Sequence, residues 1–276
     1  MNKFYSLLIA VFFSAIFTTL CVANDTIRVL CIGNSFSWDA VEQELAPLCK
    51  EGKQPIIIGN LYYGGCSLEQ HYTFLHQNKS YYSFRYIENG VRTLNEGYSL
   101  QRALKLMNWD YISFQQASHD SGIQSSYEPF LSDLIDTVRH YQPKAKLCWM
   151  QTWSYSKDAK HPKYPRYNKN QQIMDDSIHN ATVALLHKHP ELTLIPCGKA
   201  ITLARQTKLG DTLCRDGYHL NYVYGRYTAA CVWYEFLTGK NCCKNKYKNE
   251  KMTQEQQVLT QKAAHKAMLW KKTLKK

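Results

Sequence analysis

The chain is poor in acidic residues and in the motifs that usually bind metals and nucleotides. Asp and Glu number 22 against 34 Lys and Arg, giving a formal charge of +12, and much of the excess lies in a lysine-rich tail from Lys240 to Lys276. Such a run usually forms a solvated face and can favour anionic surfaces or acidic glycans, but the basic and aromatic pattern of a nucleic-acid module does not accompany it. Paired C-x-x-C spacing is missing, which argues against a zinc site. H-E-x-x-H, Walker A and G-x-G-x-x-G patterns are also missing, so metal-assisted hydrolysis, nucleotide hydrolysis and dinucleotide redox chemistry have no support. The sequence contains no internal repeat, low-complexity segment or domain linker. Beyond the first twenty residues no apolar run approaches the roughly 20 residues that a spanning helix needs, so stable membrane insertion of the remaining chain is not expected.

What is present begins with Met1-Asn2-Lys3, an apolar stretch from Leu7 to Leu20, and Cys21-Val22-Ala23. This charged, apolar and small-residue layout predicts a cleavable signal over residues 1–23 and export to the periplasm or the extracellular space. Cleavage leaves 253 of the 276 residues, a size suited to one α/β domain over 24–276. Ten cysteines in an exported chain suggest disulfides, yet loss of Cys21 leaves nine, an odd number without the regular spacing of a stapled mini-fold. Cys31, Cys148 and Cys197 sit in apolar segments and read as small buried hydrophobes, whereas Cys214 and the Cys242-Cys243 pair are the candidates for bridges. Oligomeric state is not legible.

Short apolar, β-forming runs recur at residues 27–32, 56–58, 111–114, 146–150 and 192–195. Helical patterns lie at 39–51, 97–107, 126–141, 168–189, 198–208, 222–238 and 252–272. Alternation of this kind predicts an α/β fold of three layers, a parallel sheet of about five strands between helices. The last helix places Leu259, Ala263, Ala267 and Trp270 on one face, with Gln261, His265 and Lys272 opposite. The stretch 60–96 is polar, aromatic and weakly periodic, and is predicted to be a loop region near a site, as is 153–167 with Pro162 and Pro165.

Ligands of open parallel sheets bind beyond the carboxyl ends of the strands. The first predicted strand runs directly into Gly33-Asn34-Ser35-Phe36-Ser37, where a serine on a tight turn can expose its hydroxyl; locally it is equally readable as a cap or turn residue. Near the other end, Asp216-Gly217-Tyr218-His219 can set a carboxylate against one imidazole nitrogen and leave the other for a distant serine. Alone, this too reads as a capped turn with a surface histidine.

Together the two blocks resemble the SGNH/GDSL-like hydrolase superfamily, in which a Gly-Asp-Ser-like block opens the domain and an Asp-x-x-His block closes it. Asn34 replaces the usual aspartate, and the G-x-S-x-G elbow of ordinary α/β-hydrolases is absent because Ser37 stands at its second glycine. The resemblance implies a flavodoxin-like fold and a serine esterase without cofactor or metal, with Ser35 as nucleophile, His219 as base and Asp216 as its partner. It also implies an oxyanion hole built from the N–H of Ser35, the N–H of Gly65 in Gly64-Gly65-Cys66-Ser67, and the Gln115 amide. That third block, Phe114-Gln115-Gln116-Ala117-Ser118, departs from the usual Gly-x-Asn-Asp and is similar to a bacterial subgroup grouped as a domain of unknown function; Gln116 and Ser118 remain alternatives to Gln115. His71, His76, His119 and His161 fall in the predicted site loops and are candidates to touch substrate. Tyr63, Trp153 and Tyr155 are candidates to line it, suiting a sugar face with a small acyl group, and O-deacetylation of a glycan is the leading expectation. The competing expectation is a non-catalytic protein that binds a glycan or an anion on the same frame.

Overall fold

The computed structural model describes residues 25–274; the predicted signal segment lies outside them. Five parallel strands form the centre: β1 (Ile27–Gly33), β2 (Ile56–Tyr62), β5 (Tyr111–Phe114), β6 (Lys146–Met150) and β7 (Thr193–Ile195). A hairpin of β3 (Tyr82–Glu88) and β4 (Val91–Tyr98) adds antiparallel to β2, so the sheet has seven strands in the order β4-β3-β2-β1-β5-β6-β7. Successive residues of β1 point to opposite faces. Val29 and Cys31 enter the core beneath α1 (Ser35–Val41), α2 (Leu45–Glu51), α7 (Cys197–Arg205), α8 (Tyr224–Thr238) and α9 (Gln254–Thr273). Leu30 and Ile32 enter the other, covered by α3 (Leu68–His76), α4 (Leu100–Leu104) and α5 (Phe130–Tyr141), and α6 (Gln171–Lys188) reaches both. Both faces of the five-stranded parallel centre are therefore dry, as the three-layer expectation requires.

The stretch 60–96 differs from its reading as a loop. It holds the end of β2, the helix α3 and the β3–β4 hairpin. β4 is exposed along nearly its whole length, so it carries no alternation of apolar and polar residues by which a strand is recognised. Its signal is instead the turn Asn89-Gly90, with φ of 51° and 78°, the left-handed pair that a two-residue hairpin demands. In α9, Gln261 is buried and not on an outer face, because its amide donates to Tyr227 Oη and the Asn245 carbonyl at 3.0 and 2.8 Å. All nine described cysteines are free thiols, and no described helix is long and apolar enough to cross a membrane.

β1 lies between β2 and β5, so the chain leaves β1 toward one side of the sheet and later returns to the other. The resulting crevice at the carboxyl ends of β1 and β5 is the expected ligand position in such a sheet. Residues 34–37 follow β1 and residues 115–118 follow β5, which places both blocks at that crevice.

Candidate active site

Ser35 is the first residue of α1. Asn34 caps the helix by accepting the Phe36 N–H through Oδ1 at 3.0 Å, while its Nδ2 donates to the Cys66 carbonyl at 2.9 Å. The cap therefore ties the Ser35 turn to the turn after β2. At the first helical position the Ser35 N–H has no carbonyl within the helix to bond. Ser37 Oγ shares its one proton between the Asn34 carbonyl and Asn60 Oδ1, both at 2.8 Å, and a Cβ on Gly33 would stand 2.5 Å from that Oγ. The polar groups around the turn are thus held in place from below.

The Asp216–His219 segment arrives from the far end of the chain. An isolated antiparallel bridge pairs Cys214 with Leu220, and the Arg215 N–H donates to the His219 carbonyl at 2.8 Å. Inside this turn Asp216 Oδ1 accepts the N–H groups of Tyr218 and His219 at 3.1 and 2.7 Å, and Oδ2 accepts from His219 Nδ1 at 2.6 Å. Burial opposes ionisation of Asp216, but the His219 side chain and the two backbone N–H groups outweigh it and hold the carboxyl below its usual range. A carboxylate only accepts, so His219 carries its proton on Nδ1 and presents a bare Nε2. That nitrogen lies 2.8 Å from Ser35 Oγ.

Residues that carry no motif hold this turn. Asp39, one helical turn beyond Ser35, is fully buried, accepts from Arg215 Nη1 at 3.1 Å and the Leu220 N–H at 2.7 Å, and forms an ion pair with Arg226 Nη2 at 2.6 Å. It therefore grips the sequence on both sides of Asp216 and His219 from the helix that bears the serine. The loop after β6 braces the opposite side: the Ser156 N–H donates to the Gly217 carbonyl at 2.7 Å, and Trp153 Nε1 donates to the Tyr218 carbonyl at 2.8 Å. Gly217 has a φ of 91°, and a Cβ there would meet Ala159 Cα at 2.8 Å, so both its conformation and its packing require glycine. No local pattern in the sequence marks Asp39, because its partners come from the far end of the chain.

The remaining sequence-predicted residues are distributed unevenly. Gly65 is exposed with a φ of 66° and open space around its α-carbon, in the turn whose next carbonyl, that of Cys66, binds Asn34. Gln115 does not turn its amide toward Ser35. It is 2% exposed, and Nε2 donates to Asn34 Oδ1 at 2.7 Å, which makes it a brace for the helix cap. Gln116 accepts the Leu68 and Ala117 N–H groups and donates to Ser126, and Ser118 Oγ bonds Tyr155 Oη, so these alternatives are also engaged. Trp153 and Tyr155 do not line a substrate site either. Both are 0% exposed, and Trp153 stacks on Phe36 with ring centroids 4.3 Å apart. They are the floor beneath the site and have no face left for a ligand. Tyr63 is half-buried, packed edge-on against Phe74.

His71 is sealed in the core against Tyr82, and His76 pairs with Asp133 on the surface. His161 and His119 do reach the region of the site, stacked on one another beside Tyr218. Two surface cavities, about 550 and 460 Å³, are lined by residues such as Glu44, Tyr222 and Tyr247, and Tyr234, Lys240 and Asn245; neither is bordered by Ser35, Asp216 or His219. Among the described residues no group of three or more His, Cys, Asp or Glu side chains converges as metal ligands.

A family model described as "Domain of unknown function (DUF4886)" matches residues 28–267. Among solved structures, a DUF4886 family protein from Bacteroides uniformis is 42% identical, with 89% of this chain and 96% of that chain covered and a TM-score of 0.87. A protein from Slackia heliotrinireducens, described as a candidate SGNH hydrolase, is 18% identical over 76% of this chain and 98% of its own, with a TM-score of 0.54. A protein from Parabacteroides merdae, described as a candidate GDSL-like lipase, is 14% identical over 78% of this chain and 97% of its own, with a TM-score of 0.52. These last two share the fold, which is the SGNH-like three-layer arrangement. No curated protein matches the chain.

Proposed function

The chain belongs to the DUF4886 family, and on that footing we propose that it is a serine hydrolase of carboxylic esters, exported, and acting in deacetylation of a carbohydrate. One observation carries the reading. Ser35 Oγ, His219 and Asp216 form an unbroken relay of 2.8 and 2.6 Å at the carboxyl end of a parallel sheet, assembled from opposite ends of the sequence. A turn needing only a cap or a surface histidine has no use for that alignment.

In this mechanism Ser35 Oγ attacks the ester carbonyl as its proton passes to His219 Nε2. Asp216 keeps the Nδ1 proton, fixes the tautomer and stabilises the imidazolium. The oxygen that becomes negative is met by the N–H of Ser35, unpaired within α1, and by the N–H of Gly65, whose missing side chain lets the substrate approach the backbone closely. One such donor is typically worth about 2.7–4 kcal/mol in the transition state. Asn34 and Gln115 support the first of these donors by fixing the helix cap. His219 then gives its proton to the departing alcohol, and a water deprotonated by the same nitrogen releases the acid from the acyl-enzyme. The residues involved need no metal or organic cofactor. Export rests on the layout of residues 1–23, and the sugar on the polar, aromatic rim described below.

Hydrolysis of 4-nitrophenyl acetate by the purified chain, beside Ser35→Ala and His219→Ala, tests the reading. Turnover that falls to background in both variants is expected. Equal turnover in all three removes the relay from the reaction, and saturable binding of acetylated sugar without acid release favours a binding protein instead.

A further inference from the structure

The loop after β6 braces the His219 turn and then brings a second imidazole to the site. Beyond Ser156 and Ala159, both against Gly217, the His161 ring stands edge-on to the Tyr218 ring at 4.9 Å, and the Tyr218 ring is 4.3 Å from His219. The other side of His161 meets His119, stacked at 5.6 Å and 21°. His119 follows Ser118 in the short turn beyond β5, so the pair joins two of the loops that surround the crevice.

One hydrogen bond fixes the tautomer of His161. His161 Nδ1 accepts the Lys163 N–H at 3.1 Å, so the neutral ring carries its proton on Nε2. This Nε2–H has no partner among the described residues and is not one of the buried unpartnered polar atoms, which leaves it facing solvent. His119 Nε2 lies 3.3 Å from Asp120 Oδ2, a carboxylate also bound by Arg166, which anchors this second ring beside His161. Burial, the largest influence on each ring, lowers the basicity of both, favouring the neutral forms. One free donor, a second imidazole and the half-buried Tyr218 ring thus adjoin the catalytic imidazole. An acyl chain would call for apolar walls, whereas this rim carries two imidazoles and the nearby charge of Lys163. A sugar ring offers hydroxyl oxygens that accept hydrogen bonds, together with an apolar face for an aromatic ring.

We propose that His161, His119 and Tyr218 form the subsite for the alcohol half of the ester, that this alcohol is a hydroxylated sugar, and that His161 Nε2–H is the donor that selects it. The inference rests on the serine-hydrolase reading of Ser35. Its placement follows from the proton path: the leaving oxygen takes its proton from His219, so the alcohol departs on the side of His219, where these rings are.

The test uses the full chain with two esters, 4-nitrophenyl acetate, whose alcohol has no second hydroxyl, and mono-O-acetylated xylobiose. His161→Phe keeps a ring and removes the donor; His161→Gln keeps a donor. The ratio of kcat/KM for the sugar ester to that for the phenyl ester is expected to fall tenfold or more in His161→Phe and to return to within threefold of wild type in His161→Gln. Calorimetric titration of Ser35→Ala with the same sugar ester is expected to show binding that His161→Phe weakens tenfold or more. An unchanged ratio, an equal fall for both esters, or a titration insensitive to His161→Phe overturns the proposal. If neither ester is turned over while Ser35→Ala binds the sugar ester and loses it with His161→Phe, the hydrolase reading fails and the subsite stands. Absence of binding to Ser35→Ala overturns the subsite whatever the turnover.

Discussion

Replacing Asp39 by Asn removes one charge and almost no volume, and therefore isolates what the buried carboxylate does. Its three described partners, Arg215, Arg226 and the Leu220 N–H, are all donors, and they occupy both oxygens. An amide has a single oxygen, so in either orientation its NH2 group faces a donor. In either orientation Arg226, a guanidinium only 5% exposed, loses its counter-ion, and if the NH2 faces Leu220 a buried N–H is left unpaired as well. Removing one partner of a buried pair typically costs about 3–5 kcal/mol, a large share of the roughly 5–15 kcal/mol that holds a folded domain together. Asp39→Asn should therefore lower the urea midpoint by about 1–2 M at unchanged m, for an m of about 3 kcal/mol/M. Because the same carboxylate fixes the His219 turn relative to α1, kcat for ester hydrolysis should fall by about 100-fold, the effect of misplacing a reacting group by an ångström. Equilibrium unfolding followed by tryptophan fluorescence, with turnover measured well below the unfolding transition, checks both. A loss under about 1 kcal/mol with turnover unchanged refutes the view that Asp39 anchors the site.

Gly217→Ala places a Cβ 2.8 Å from Ala159 Cα at a φ of 91°, and should reduce kcat at least tenfold while the fold is retained by circular dichroism. Gln115→Met keeps the shape of the side chain and removes the amide; since that amide is spent on Asn34, kcat/KM should drop less than tenfold, not the 100- to 1,000-fold typical of a lost oxyanion donor. His71 is sealed in the core with Nε2 unpartnered, and burial drives its pKa from 6.5 to about 3. The folded chain keeps this ring neutral while the unfolded chain protonates it, so its contribution is intact above pH 6.5 and falls by about 1.4 kcal/mol per pH unit from there toward pH 3. His71→Phe should flatten that part of the stability profile, measured as unfolding free energy against pH; an unchanged slope contradicts the assignment.

The relay was legible because its residues lie in short local blocks, Gly33-Asn34-Ser35 at a strand end and Asp216 three residues before His219. The five parallel strands were legible for a similar reason, being short apolar runs between helical patterns. What failed depended on tertiary packing. Trp153 and Tyr155 look like any loop aromatics in sequence, and only the closure of Phe36 over Trp153 shows that they are floor and not surface. Gln115 occupies the expected place after β5, but the direction of its amide is set by Asn34, 81 residues away. Asp39 has no motif, since its partners come from the opposite end of the chain. The β3–β4 hairpin shows the reverse case, in which Asn89-Gly90 was readable but the strand it introduced, exposed and polar, was not.

Labelling with a fluorophosphonate tests the central claim most directly, because it reads the nucleophile without any assumption about substrate. Intact mass spectrometry of the treated chain, followed by peptide mapping, is expected to show one adduct on Ser35, absent from Ser35→Ala and formed far more slowly in His219→Ala. An adduct on another residue, or a Ser35 that stays unmodified while the chain is folded, contradicts the assignment of Ser35 as an activated serine.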